Sequence, residues 1–196
     1  DDKSFDPCNI SDETIDRLLN SSFPLLDSSK EEEMRKEVAD SAFNKDSIGG
    51  TIECAVVGMK AGIGYPMFDG IEGRIAKAIF GIPAMKGIEF GKGFELARMH
   101  GSESNDNFRY DENGNIYTTT NNCGGILGGI TNGMPITFKV AVKPTPSIAQ
   151  VQDTINLETR QNDTLEIKGR HDPCIVLRAV PVIEAITAVT ILDLLS

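Results

Sequence analysis

The chain's densest group of chemically reactive side chains lies in one short segment, residues 169–174. Arg170 offers a planar guanidinium that can bind a phosphate or carboxylate through paired hydrogen bonds. Asp172 can orient the adjacent His171 or act as a general base beside a cofactor. Because fold building alone does not require this concentration of charge, the segment predicts a site for an anionic ligand.

Two other interpretations of the same segment stay open. The first is a structural Arg–Asp ion pair that fastens a strand to the last helix, with His171 only satisfied by a local hydrogen bond. The second is a Cys174 nucleophile with His171 as its base. Three-residue spacing across Pro173 disfavours the second, because such pairs depend on three-dimensional geometry and not on adjacency in sequence. Glu184 is expected at a solvated helix position.

A proline-stiffened segment, Lys143-Pro144-Thr145-Pro146-Ser147, follows directly after a predicted strand. The two prolines fix φ and hold the intervening side chains in a preset arrangement. One ammonium and two hydroxyls suit a phosphate or an anionic ring. A rigid surface turn without a ligand explains the same residues.

Five glycines lie within the ten residues of 124–133. Such a run permits positive φ and lets another group approach the backbone closely. Its exposed N–H groups could cradle a phosphate or the edge of a flavin. The more ordinary interpretation is a tight connection between strands. The run matches neither the dinucleotide fingerprint nor the P-loop, because no Gly-Lys-Ser/Thr follows it.

Helices and strands interleave around these segments. Hydrophobic periodicity and capping residues predict helices at 11–20, 30–44, 70–80 and 179–195, strands at 51–57, 86–90, 136–142 and 164–168, and a polar hairpin or surface excursion at 102–122. Several links are of hairpin length. We therefore expect an α/β chain of the α+β kind, a layered β–α sandwich whose sheet is mixed or antiparallel, folded as a single domain over 1–196.

Composition limits the function classes. The net charge of −10 argues against nucleic acid and anionic membranes as partners, while a local basic pocket can still bind an anionic small molecule. No apolar stretch is long enough to span a bilayer and no signal peptide is visible. The four cysteines are far apart and lack zinc-ligand spacing, which favours a reduced cytoplasmic setting without a metal.

Several separate segments together resemble the chorismate synthase family, in the family's order. They are Asp46-Ser47-Ile48-Gly49-Gly50, residues 64–69, 82–91, 101–106 and 122–133, Lys143–Ser147, and residues 169–184. Each piece is weak alone, but the ordered set is specific. The resemblance covers most of 46–195, so we interpret 46–196 as a family-like core and 1–45 as a variable helical lead-in.

The resemblance implies a function. Members of this family are cytoplasmic lyases, homotetramers of two related halves per chain, that serve the shikimate pathway of aromatic amino acid biosynthesis. They convert the phosphorylated small molecule 5-enolpyruvylshikimate 3-phosphate to chorismate by 1,4-elimination of phosphate. They need reduced FMN, although the reaction has no net redox change.

The resemblance also implies roles for individual residues. Asp172 matches the aspartate proposed to assist proton transfer near the flavin N5, and is the one catalytic residue expected here. Arg170 would lie where flavin and substrate meet and would bind both. The remaining flavin contacts would be Pro83, Ala84, Gly128, Lys143, Pro144, Thr145, Pro146 and Ser147, with Lys143 offsetting the charge of the reduced ring. We expect these loops to converge on one electropositive rim.

Two departures qualify the resemblance. Pro83 stands where many relatives carry Asn, and the family's Gly-Glu-Ser-His-Gly and Ser-Ala-Arg-Glu-Thr regions are absent. The chain begins with Asp1 and resembles the C-terminal half, so we expect a fragment that alone is inactive and binds FMN weakly or not at all. Alternatives are a non-catalytic core for folding and subunit assembly and a phosphate-ligand binding module without catalysis.

Overall fold

The computed structural model of this chain describes residues 4–196. Its helices are α1 (Asp12–Leu19), α2 (Glu31–Phe43), α3 (Ile71–Phe80), α4 (Gly101–Ser104) and α5 (Val176–Leu195), with 3₁₀ turns at Ser28–Lys30, Met67–Asp69 and Gly93–Arg98. Its strands are β1 (Gly50–Val56), β2 (Met85–Phe90), β3 (Phe108–Tyr110), β4 (Ile116–Thr118), β5 (Ile126–Leu127), β6 (Ile130–Thr131), β7 (Ile136–Val142), β8 (Val151–Asn156) and β9 (Gln161–Glu166).

The largest sheet has three strands in the order β1-β7-β2, and β7 runs antiparallel to both neighbours. Val142, the last residue of β7, pairs with Gly50 on one side and Met85 on the other. The register with β2 shifts between Met85 and Gly87, which marks a bulge at this end. The chain entering β1 and the chain entering β2 therefore meet the chain leaving β7.

Helices α3 and α5 pack against one face of this sheet. The isoleucines of α3 recur every four residues, and Ile71, Ile75 and Ile79 are completely buried. From β7, Phe138 and Val140 are also buried in this cluster, and α5 contributes residues that include Ile183 and Ile191. The hydrophobic core thus lies between one sheet and two helices.

Three two-stranded antiparallel hairpins extend from this body: β3–β4, β5–β6 and β8–β9. The β3–β4 hairpin lies within the polar segment 102–122, for which the sequence predicts a hairpin or a surface excursion. The third is exposed along most of its length, with Val151 and Ile155 on its surface. Strand β8 was not predicted, because its alternating apolar residues face solvent and are interrupted by polar ones.

Helices α1 and α2 precede the sheet and bury no side chain. Ser11 caps α1, as its sequence predicts, and accepts a hydrogen bond from the backbone N–H of Thr14. Helix α5 begins at Val176, three residues earlier than periodicity predicted. Every strand pair within residues 4–196 is antiparallel, which together with the packed helices confirms the α+β class. Within the same residues, none of the helices could cross a membrane.

Candidate functional site

Two of the sequence-predicted segments meet where β7 ends. The backbone N–H of Lys143 donates to the carbonyl oxygen of Ala84 at 2.9 Å. Ala84 adopts a positive φ of 72°, an uncommon conformation for a residue with a side chain, in the turn that follows Pro83 and leads into β2. The turn at 83–84 and the loop starting at Lys143 are therefore held together by the backbone.

The segment before β1 connects this loop to the one that carries Asp172. The hydroxyl of Ser47 donates to the carbonyl oxygen of Thr145 at 2.6 Å. The next residue, Ile48, donates its N–H to the carbonyl oxygen of Pro173 at 2.7 Å. The loops at 143–147 and 172–174 are consequently neighbours, although the whole β8–β9 hairpin separates them in sequence.

Gly49 completes this junction through close packing. A Cβ at this position would overlap the carbonyl oxygen of Val142 and lie 2.9 Å from Cδ of Pro144. Only glycine lets the chain pass so close to the end of β7. The sequence indicated this role only through the family-like motif at 46–50.

The polar groups at this end of the sheet suit an anion. The hydroxyl oxygen of Thr145 is buried and has no hydrogen-bond partner within the described part of the chain. Lys143 is half-buried and Arg170 is exposed, and neither forms an ion pair among residues 4–196. A hydroxyl without a partner and two cations without an ion pair, on neighbouring loops of the described chain, offer donors for a phosphate or an anionic ring.

Asp172 is tied to helix α5. Its Oδ2 forms an ion pair with Arg178, and its Oδ1 accepts a hydrogen bond from the N–H of Cys174 at 3.1 Å. The side chain of Asp172 keeps 26% of its surface exposed, while its Oδ2 is buried. The predicted Arg–Asp ion pair between a loop and the last helix thus exists, and it involves Arg178.

His171 is occupied elsewhere. Its Nε2 lies 2.9 Å from the carbonyl oxygen of Ile167, and because a carbonyl only accepts, Nε2 carries the proton. This local bond holds the ring toward the β9 side of its own loop. It gives no support to the alternative in which His171 serves Cys174 as a base.

Gly128 lies at the opposite end of the sheet. Its neighbour Gly129 accepts a hydrogen bond from the N–H of Ile71, the first residue of α3, at 3.2 Å. Gly124 likewise accepts from the N–H of Thr137, near the start of β7, at 3.3 Å. At 3.4 Å per residue, the length of β7 puts this hairpin about 20 Å from Lys143. The three loops expected to converge therefore form a group of two, with the third apart.

Most glycines of the 124–133 run are required by close backbone packing. A Cβ at Gly124, Gly125 or Gly129 would collide with backbone atoms of neighbouring segments. Gly128 has a φ of 60°, is exposed, and would place its Cβ in open space. The ordinary interpretation of a tight turn thus accounts for the three packed glycines, and leaves Gly128 and Gly133 exposed.

One polar residue that sequence reasoning did not single out holds the turn before this run. The carboxylate of Asp106 is buried and accepts from the N–H of Asn122 at 2.7 Å, from the N–H of Cys123 at 2.9 Å and from the hydroxyl of Thr120 at 2.8 Å. Burial, with Asp106 nearby, raises the pKa of the Cys123 thiol. Its only sequence signal was membership of the family-like segment 101–106.

The fold and the site together define an α+β protein with an anion-accepting loop cluster at one end of an antiparallel sheet. The sequence profile of the family described as chorismate synthase matches residues 8–195. The chain belongs to the chorismate synthase family.

Individual relatives agree with this assignment. Chorismate synthase of Dehalococcoides mccartyi is 56% identical over 149 residues, which are 76% of this chain and 41% of that protein. Chorismate synthase of Methanococcus aeolicus is 48% identical over 187 residues, which are 95% of this chain and 50% of that protein. A crystal structure of chorismate synthase superimposes with a TM-score of 0.68 at 33% identity, over 85% of this chain and 43% of that one. The chain spans half or less of the length of these relatives.

Proposed function

We propose that this chain forms part of an FMN-dependent chorismate synthase, which eliminates phosphate from 5-enolpyruvylshikimate 3-phosphate to give chorismate. Family membership supports the reaction class. Because the chain spans half or less of the length of these relatives, we propose that the activity requires residues in addition to those of this chain. We further propose that 46–196 is the shared core and that 1–45, whose helices bury nothing, is a peripheral lead-in.

The observation that carries this proposal is the junction of the loops at 143–147 and 172–174 through Ser47 and Ile48. A flavin phosphate or a reduced, anionic ring needs cations and hydroxyl donors placed before it binds. The buried hydroxyl of Thr145 and the ammonium of Lys143 fit that requirement, since among residues 4–196 the first has no hydrogen-bond partner and the second forms no ion pair.

We propose a role for each residue of these loops. Lys143 offsets negative charge on the bound ring, and Thr145 donates a hydrogen bond to it. Arg170, exposed beside this loop pair, binds the anionic substrate at the flavin's edge. Asp172, oriented by Arg178, holds or moves a proton between flavin and substrate. Reduced FMN, when bound, supplies redox chemistry that leaves no net oxidation or reduction over the whole reaction.

The other proposed flavin contacts fall into two sets. The prolines Pro144 and Pro146, together with Ser147, belong to the loop of Lys143, and the turn at Pro83 and Ala84 is bonded to it. Gly128, about 20 Å away along β7, contributes to a different part of the bound ligand than Lys143 does.

We expect the isolated chain to bind FMN weakly and to form no chorismate. Elimination of phosphate builds negative charge on the leaving group, and several preplaced cations are needed to stabilise it. This end of the sheet supplies Lys143 and Arg170, while Arg178 is already paired with Asp172. Submicromolar affinity in a flavin fluorescence titration would contradict this expectation.

Weak binding can still be mapped. Backbone NMR of the chain, titrated with millimolar FMN, should shift amides at Ala84, 143–147 and 170–174. Lys143→Met should weaken the shifts severalfold, whereas Lys60→Met should leave them unchanged, because Lys60 lies beside Thr131 at the far end of the sheet. Shifts confined to the β5–β6 hairpin, or reduced equally by both variants, would argue against the proposed site.

A second candidate role is subunit assembly. A shallow apolar groove of about 410 Å³ runs along the outer side of α5, lined by Ile82, Pro181, Val182, Ala185, Ile186 and Val189. Exposed apolar surface of this kind is typical of protein interfaces. This groove favours assembly of the chain into a homo-oligomer, which we propose is a tetramer in the full enzyme. Gel filtration tests this by comparing the unmodified chain with Val189→Glu.

The four free cysteines support a reducing, cytoplasmic location.

A further inference from the structure

The three residues before β1 contact both loops of the candidate site, one residue after another. Ser47 binds the carbonyl oxygen of Thr145, Ile48 binds that of Pro173, and Gly49 packs under Val142. The position of Ser47 is itself fixed, because its N–H donates to Oδ1 of Asp46 at 2.8 Å. None of these residues contributes a charge to the site, so their part in it is geometric.

The Ser47 contact acts on the residue whose side chain is uncommitted. A carbonyl only accepts, so the serine hydroxyl donates, and at 2.6 Å it fixes the peptide plane between Thr145 and Pro146. The buried hydroxyl of Thr145 belongs to that same residue and has no partner of its own within the described chain. Ser47 therefore holds the backbone from which the Thr145 hydroxyl projects.

From this geometry we infer that Ser47 is a positioning residue that couples the loop of Lys143 to the loop of Asp172. The inference deepens the proposed function and rests on it for the identity of the ligand, a flavin or another anion. Ser47 holds one loop, and its covalent neighbour Ile48 holds the other. A ligand that orders the 143–147 loop thereby also orders 172–174.

Hydrogen exchange on the ligand-free chain tests the coupling directly. Ser47→Ala removes the hydroxyl, so the amides of Ile48 and Cys174 should exchange about three- to tenfold faster, the range for one lost neutral hydrogen bond. Amides inside β7, such as that of Val140, should be unaffected. Ser47→Thr keeps a hydroxyl and should restore slow exchange. Ser41→Ala is the matched control, because the hydroxyl of Ser41 donates to the carbonyl oxygen of Glu37 within α2, far from the site loops in sequence.

FMN titration of the same variants adds a second readout. Ser47→Ala should weaken binding by a similar factor, with Ser47→Thr close to the unmodified chain. Unchanged exchange at Ile48 and Cys174 in Ser47→Ala would overturn the inference whatever the flavin does. If exchange rises but FMN never shifts the amides of the unmodified chain, the coupling stands and the flavin assignment fails.

Discussion

Glu53 lies directly opposite Lys139 in the register of β1 and β7, and Glu89 of β2 flanks the same lysine on its other side. This row of charges runs across the sheet on the face away from α3 and α5. Burial raises the pKa of Glu53, although a hydrogen bond from the N–H of Phe5 and the charge of Lys139 act in the opposite direction. Desolvation thus outweighs the favourable partners of this carboxyl.

The raised pKa of Glu53 predicts a pH-dependent stability. A carboxyl whose pKa is higher folded than unfolded contributes its full stability below the unfolded pKa, near 4.5, and loses it as pH rises through the folded pKa. Glu53→Gln should therefore gain free energy of unfolding relative to the unmodified chain between pH 4 and pH 7. Urea unfolding at several pH values measures this, with Glu89→Gln as the matched variant on the other side of Lys139. A difference that is constant with pH would contradict it.

Gly49→Ala and Gly73→Ala should have opposite effects. The first introduces a Cβ that meets backbone atoms at the end of β7, which cannot move aside, and should cost at least about 2 kcal/mol. The second adds a methyl group in open space on α3 and should stabilise the chain by about 0.5–1 kcal/mol. Thermal or urea unfolding compares them. Equal effects would show that the backbone around Gly49 can move aside for a Cβ.

Asp106→Asn should destabilise the chain by about 2 kcal/mol. The carboxylate oxygens of Asp106 accept from the N–H groups of Asn122 and Cys123, and the amide of Asn replaces one of these oxygens with an NH2 group that cannot accept. Asp153→Asn, on the exposed face of β8, should change stability by less than about 0.5 kcal/mol. The two values come from the same unfolding experiment. Similar small effects would mean that Asp106 does not hold the turn.

Cys54 should resist alkylation in the folded chain. Burial raises the pKa of its thiol to about 11, so at pH 8 only roughly one thiol in a thousand is ionised. Peptide mass spectrometry after iodoacetamide treatment should find Cys54 unmodified in buffer and modified in concentrated urea. Cys54→Ser should then lose one label in urea and none in buffer. Rapid labelling of native Cys54 would place this thiol outside the core.

The elements that bury a regular apolar pattern could be predicted from sequence. Helix α3 buries every fourth residue, and β7 alternates around Phe138, so both were located within a residue of their bounds. Strand β8 could not be found this way, because its apolar residues Val151 and Ile155 are exposed to solvent. Periodicity reports burial, and an unburied strand gives no such signal.

The candidate site could be predicted from sequence only in part. Charged and proline-fixed residues such as Lys143 and Arg170 stand out by type. Ser47 and Ile48 do not, because their contribution is a hydroxyl and a backbone N–H whose partners lie 98 and 125 residues away in sequence. Gly128 shows the converse: the family resemblance implied that it shares a rim with Lys143, and the topology of β7 places the two at opposite ends of the sheet. The assigned roles of these side chains remain predictions.

The β8–β9 hairpin leaves the body after one site loop and returns at the other, and the contacts of Ser47 and Ile48 close its base. Its turn, at residues 157–160, is fully on the surface. A chain cleaved in that turn would keep both halves of the site joined through the sheet and this closed base. The tip is accordingly a suitable place to insert a fluorescent reporter or an affinity tag, because an insertion there is connected to the site through the hairpin but does not occupy it.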